Sequence, residues 1–311
     1  MHIRVAGLIL MCVIVASANS PPQTGIGRRS DVDEYWTNGT ATPLERPVQY
    51  KDRFTLTPSE VTEFERGSLA RLIESLPEED RFAADLNDIY LETSSLKMLR
   101  GGRTSLIVDP PNGRLPPRVP AAAARAAAMP KHSYDDPETL GVTERCIAGN
   151  DGGASQLAAP IVPNMFGLNY YQMVQTPTHV LLHSEVMHET RIIRIGGTHT
   201  MPRHVGEWLG DSIGHWEGDA LVVDTTNFNG RLHFRGSSDR MHVVERFRRV
   251  DDRTLAYRAT VEDPDTWTAP WTIEYPFTAT SEPIVEFACH EGNYSVENAL
   301  RGHRAEERQK K

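Results

Sequence analysis

Between Gly206 and Val250 the chain carries an unusual density of ionisable groups inside or beside apolar runs: Glu217, Asp219, Asp224, Arg235, His242, Glu245 and Arg246. Two of them have spacing that suggests chemistry. Val243, Glu245 and Phe247 alternate, so in a strand they share one side, and across an Asp251-Asp252 turn they meet Leu255, Tyr257, Ala259 and Val261. One carboxylate then sits on an apolar face, where desolvation would raise its pKa toward what a general acid needs near neutrality. An ion pair with Arg246, Arg191 or Arg258 is the alternative reading. The opposite side holds His242, Val244, Arg246 and Arg248, opposed by Arg258, Thr260 and Glu262. It reads as a solvated face of cross-strand ion pairs, with His242 the exception, an imidazole that would act as a base at a barrel mouth.

Glu185 and His188 are three residues apart, and Cys289-His290-Glu291 sets another imidazole beside a carboxylate. With His242 they would supply a His and carboxylate set of the type that suits zinc or non-haem iron, so His188, His242, His290 and Glu185 are candidate ligands. None has H-E-x-x-H spacing, and with 12 His in the chain some clustering arises by chance. The cofactor is therefore none or a divalent metal. Gly210-Asp211-Ser212 with a downstream Asp239-x-x-His242 resembles one lipase type. There the two lie at opposite ends of an α/β domain, whereas here both sit mid-chain, and a Ser212 nucleophile is discounted. Trp208, Trp216, Trp267 and Trp271 line an aromatic pocket or pack as core and rim. The candidate catalytic set is His242, Glu245, His188, Asp224 and His290, with Trp216, Arg235, Arg191 and Tyr257 as substrate contacts. Only a closed or strongly curved sheet would unite residues from such separate strand regions. At least three of His188, His242, Glu245 and His290 are expected to point into one cavity near Asp224 and Trp216.

The elements that must position these groups become regular from about residue 170. Strands are expected at 170–175, 179–186, 189–195, 220–226, 241–249, 254–262, 271–278 and 283–289, with weaker pairing around Trp208 and Trp216. Thr-Pro, Gly-Gly, Gly-Asp, Asp-Asp and Asp-Pro turns separate them. This pattern predicts a mainly β fold, an antiparallel up-and-down barrel or strongly curved sheet of lipocalin or calycin kind, whose interior would hold one small ligand. No fixed-period repeat is present, which argues against a propeller or solenoid. Residues 166–303 form the expected barrel domain. Before it, 19–165 is an arm with helices packed on the barrel, Pro- and Gly-rich and extended to about Arg53. The capping box Thr57-Pro58-Ser59-Glu60 opens a helix to Leu76, a short strand from near Arg103 runs into Pro110-Pro111-Asn112-Gly113, and an Ala-rich helix spans Pro120–Met129. After it, 304–311 is a solvated charged tail, its basic residues interleaved with Glu306 and Glu307.

Residues 1–18 have the layout of a secretory signal, with Arg4, an apolar run from Val5 to Ala16 and the small-x-small site Ala16-Ser17-Ala18. The run is shorter than the roughly 20 residues a membrane span needs. Export near Ala18, to the periplasm or medium, would leave Cys146 and Cys289 in an oxidising compartment, as a bridge or as two buried thiols. The formal charge of -9 argues against nucleic acid or an anionic membrane as partner, since both need a concentrated basic surface. No G-x-G-x-x-G or Walker A sequence is present, which argues against a nucleotide cofactor.

RTSLIVDPPNGR (103–114), GDS-x-GHWEGD-x-LVVDTTNF (210–228), FRGSS (234–238), HVVERF (242–247), VEDPDTW (261–267) and ACHEGNY (288–294) occur in that order. Together they resemble a large, mostly uncharacterised family of exported bacterial proteins, over almost the whole mature chain. The chain departs from that pattern after Glu144-Arg145-Cys146, where Asp151-Gly152-Gly153-Ala154 stands in place of a Gly-Pro-rich stretch. The resemblance implies membership, not a reaction. The expected function is an exported protein handling a small, partly apolar molecule as an acid–base lyase, isomerase or hydrolase. A non-catalytic ligand-binding barrel and an envelope or partner-binding protein are the alternatives.

Overall fold

Alternation of apolar and polar residues produces the strands. The computed structural model describes residues 32–67, 96–128, 134–148, 157–163, 169–231 and 234–310. Within them ten strands form one sheet: β1 (Glu34–Thr37), β2 (Ile107–Asp109), β3 (Tyr170–Gln175), β4 (His179–Ser184), β5 (Thr190–Ile195), β6 (Asp211–Glu217), β7 (Ala220–Thr226), β8 (His242–Arg249), β9 (Thr254–Glu262) and β10 (Trp271–Ala279). The order is β1-β3-β4-β5-β6-β7-β8-β9-β10, and β1 pairs back onto β10 through Trp36↔Ala279 and Thr37↔Thr278, closing a barrel. The short β2 lies on the start of β10 beside that seam. The mainly β, lipocalin-like barrel expected from the sequence is the fold.

A ring of nine strands cannot alternate direction throughout, so at least one neighbouring pair must run parallel. That pair is β5 and β6, in register Ile193↔Ser212 to Ile195↔Gly214. Parallel neighbours cannot be joined by a hairpin, and the chain instead makes a long crossover through residues 196–210. Gly210 ends the crossover with φ +74, where a Cβ would stand 2.8 Å from Thr226 O. This departure from up-and-down order creates the loop that carries His199.

Inward-facing residues fill the barrel. Tyr171, Phe247, Tyr257, Tyr275 and Phe277 are fully or almost fully buried and stack on one another, with Phe247 and Tyr257 ring centres 4.9 Å apart and Tyr257 and Tyr275 5.0 Å apart. Each such ring contributes about 1.5–3 kcal/mol by leaving water. The buried segment 157–161 joins them: Ile161 N–H donates to Tyr257 Oη at 2.8 Å, and Tyr275 Oη–H donates to Ile161 O at 2.7 Å. An interior open for a ligand, as expected above, is thus packed here with aromatic side chains and the chain's own backbone.

Helix α1 (Pro58–Arg66) begins at the anticipated capping box, in which Thr57 and Glu60 satisfy each other's backbone N–H, and it ends at Gly67. The rest of the helix anticipated to Leu76, and residues 1–18, lie outside the described residues. Helix α2 (Pro120–Ala128) matches the Ala-rich run. Helix α3 (Ser295–Gln309) takes in most of the anticipated charged tail. Cys146 and Cys289 stand at disulfide distance, with Cα atoms 5.8 Å apart. Two anticipated boundaries shift. The strand that closes the barrel, β1, comes from the stretch read as an extended arm. Residues 283–289 are not a strand: β1 already occupies the edge, and side chains hold this segment instead, Glu185 Oε2 accepting from Val285 N–H at 3.1 Å and His188 Nε2 from Phe287 N–H at 2.9 Å.

Candidate functional site

Glu245 points inward, as its alternation with Val243 and Phe247 anticipates, and is fully buried. There it forms an ion pair with the equally buried Arg191 and accepts a 2.8 Å hydrogen bond from Tyr257 Oη–H, while Arg191 Nη1–H donates to Leu157 O at 2.9 Å. Burial, then the adjacent Glu245 charge, pushes the Tyr257 hydroxyl well above its usual range. Three anticipated site residues therefore meet, in the ion-pair form of the two readings of Glu245 and within a packed core.

His242 lies three residues before Glu245 on the same strand, an odd separation that turns it to the outer wall. Its Nε2 is 3.1 Å from Asp224 Oδ2 on the neighbouring β7. The other oxygen, Asp224 Oδ1, is 3.0 Å from Nε2 of His199, which the 196–210 crossover brings over the wall. His199 Nδ1 is 2.8 Å from Asp211 Oδ2, and Arg194 Nη1–H donates to Asp211 Oδ1 at 2.7 Å. The result is a chain, Arg194, Asp211, His199, Asp224, His242, running across four adjacent strands, β5 to β8, and the loop. Three of its members, His199, Asp224 and His242, line a cleft of about 570 Å³, completed by Met201, Arg203, Thr226, Asn227, Asp239, Arg240 and Met241. That volume suits a small ligand.

The electrostatics follow from these contacts. The Asp224 hydrogen bond raises the pKa of His242 above its ordinary 6.5, against the pull of desolvation. Reciprocally, His242, opposed by burial and helped by His199, holds Asp224 below the usual carboxylate value. Burial pulls Asp211 upward, but its bonds to Arg194 and His199 more than offset this and leave it low. His199 faces a carboxylate oxygen with each ring nitrogen, and an imidazole bearing one N–H can donate to only one of them. His199 bridges the two carboxylates, linking Asp211 to Asp224.

The crossover loop is itself strapped down. Asn227, at a left-handed φ of 57, donates from Nδ2 to Pro202 O at 2.9 Å and to Val205 O at 3.1 Å. Asn is among the few residues that tolerate that backbone conformation.

The remaining anticipated residues lie elsewhere. His188 sits in the turn after β4, its ring stacked on His183 at 5.9 Å and bound to the 285–287 backbone, with buried Glu185 beside it. His290 is exposed next to Cys289, Arg235 is exposed, and Trp216 is half-buried against the core. The expected convergence of His188, His242, Glu245 and His290 in one cavity is not formed: one is on the wall, one inside, and two belong to the far C-terminal segment and its anchor. Nor do Glu185, His188, His242 and His290 assemble as metal ligands. Among the described residues, the group of His, Cys, Asp or Glu ligand atoms that come within 4.8 Å of one another is Asp135, His303 and Glu307.

Sequence reasoning missed His199 and the structural use of Asp211. Asp211 was in view as part of Gly210-Asp211-Ser212, and the cross-strand pairs Asp211↔Thr226 and Ile213↔Asp224 put the two carboxylates diagonally on one face. His199 sits in an irregular loop with no periodicity to mark its direction. No protein family model matches the chain, and no curated protein or solved structure does either. Function is therefore read from the geometry.

Proposed function

We propose that the chain is an exported protein that handles a small polar molecule in the outer-wall cleft, with His242 exchanging a proton with it and Asp224, His199 and Asp211 relaying charge behind. The observation that carries this reading is the unbroken chain of contacts from Asp211 to His242 at a cleft of ligand size. An imidazole near neutrality, its protonated form stabilised by a carboxylate, is suited to general acid–base work, and lyase, isomerase and hydrolase chemistry all need it. Export is supported by the signal-like residues 1–18 and by two cysteines at disulfide distance, which suit an oxidising compartment. Membership in the exported bacterial family suggested by the 210–228 and 288–294 motifs belongs to the same proposal.

The test is label incorporation. A library of small hydroxy acids, esters and lactones is incubated with the full chain in D2O and, separately, in water enriched in oxygen-18. A lyase or isomerase transfers deuterium to carbon, whereas a hydrolase places the heavy oxygen in its product. His242→Gln and Asp224→Asn should each abolish the label while leaving the thermal midpoint within a few degrees. Ligands that bind in the cleft and acquire no label would replace this reading with a non-catalytic binding protein.

A further inference from the structure

One cluster of ligating side chains plays no part in the cleft. On α3, His303 and Glu307 are one helical turn apart and so share a face. Against that face stands Asp135, from a turn far away in sequence. His303 Nε2 lies 2.7 Å from Asp135 Oδ1 and 3.9 Å from Glu307 Oε1, and the three ligand atoms all fall within 4.8 Å of one another. We propose that Asp135, His303 and Glu307 bind a divalent transition-metal ion of the zinc class, which clamps α3 onto the body of the protein.

The donor set fits such an ion. One imidazole and two carboxylates suit zinc and its neighbours, with bonds of about 2.0–2.2 Å, so ligand atoms around a tetrahedral ion stand roughly 3.3–3.6 Å apart. The side chains would need to open or close by only about an ångström to enclose it. Arg304 braces the cluster: its Nη2 donates to the backbone O of Asp135 at 2.6 Å and stands 3.7 Å from Asp135 Oδ1, and its Nη1 pairs with Glu307 Oε2 at 3.1 Å. That leaves Glu307 Oε1 turned toward His303. Two carboxylates against one guanidinium give the cluster a net charge of -1, favourable for a divalent cation. Glu307 Oε1, 3.9 Å from His303 Nε2, is beyond hydrogen-bond reach of it, and an ion between the two would join them. None of the residues of α3 is buried. Among the described residues it is tied to the body by this polar cluster, by the Cys146–Cys289 tether just before it, and by Asn293 Nδ2, which donates to Glu144 O at 3.0 Å and to Cys146 Sγ at 3.2 Å.

The experiment is calorimetric titration of the untagged, EDTA-stripped full chain with zinc chloride at pH 7.5, alongside hydrogen exchange of α3. The expected result is one-to-one binding, slower exchange in α3 with zinc, and at least about tenfold weaker affinity in His303→Ala and Glu307→Gln. Glu307→Gln keeps the shape and helix propensity of the side chain, so its loss of affinity is not attributable to unfolding. His242→Gln should bind zinc as the unmodified chain does. Absence of zinc binding, or binding that His303→Ala and Glu307→Gln leave unchanged, would overturn the proposal.

Discussion

At the scale of single residues, Asp224 and Glu245 show two uses of a carboxylate one residue off in register. Asp224, on the wall, is held low by His242 and in turn raises His242. A raised histidine adds stability that is complete below its unfolded pKa and lost as pH rises through the folded one. A lowered carboxylate adds stability present above its unfolded pKa and lost as pH falls through the folded one. The pair therefore stabilises most between the ordinary values of the two groups, 3.8 for Asp224 and 6.5 for His242, and progressively less as pH falls below the first or rises above the second. Proton NMR of the imidazole C–H signals should place the His242 midpoint above 6.5, and Asp224→Asn should bring it down; an unmoved midpoint would show that Asp224 does not set it. Glu245 is different, because removing it leaves Arg191 buried without its counter-charge. Glu245→Ala should cost about 3–5 kcal/mol in urea unfolding, and Arg191→Met with Glu245→Leu should recover most of that loss. Equal stability of the single and double variants would contradict the ion-pair reading. As a probe of chemistry, substitution at Glu245 would thus report on folding.

At the scale of elements, the 196–210 crossover is the consequence of a parallel junction between β5 and β6, and it delivers His199 to its place between Asp211 and Asp224. Its shape depends on Asn227, whose amide reaches the carbonyls of Met201, Pro202 and Val205. Asn227→Ala loses those bonds and puts a β-carbon residue with no local hydrogen-bonding side chain at positive φ, at a cost of about 1–3 kcal/mol. Hydrogen exchange should rise across 199–207 while the amides of β8 and β9 stay protected. Uniform deprotection of the whole barrel would show that Asn227 supports the sheet and not the loop.

At the scale of the whole molecule, closure depends on β1, which is far in sequence from both of its partners, β3 and β10. Contacts of that kind close long loops, and the Cys146–Cys289 link, spanning 143 residues, limits the unfolded chain in the same way. The chain-entropy relation gives about 5 kcal/mol for a loop of this length, before any strain. Reduction, or Cys146→Ser with Cys289→Ser, should therefore lower the thermal midpoint by up to roughly 10–20 °C, at about 2–4 °C per kcal/mol for a domain of this size. Alkylation of two thiols without prior reduction, read by intact mass, would show that no bridge forms.

What the sequence determined by itself is what local periodicity encodes. Alternation in Val243-x-Glu245-x-Phe247 and Leu255-x-Tyr257-x-Ala259 places those side chains on one face, and turn residues separate the strands, so the barrel and the burial of Glu245 were legible. The odd spacing between His242 and Glu245 already excluded a shared cavity, although that consequence follows only when both are held to one strand. Partner choice was decided by tertiary structure. Arg191 pairs with Glu245 because closure brings β5 across the interior, β1 displaces residues 283–289 from the edge because nine strands complete the ring, and His199 reaches Asp224 because an odd ring forces one crossover. Those outcomes depend on closure and strand count, which belong to the whole chain and leave no periodic trace in any one segment.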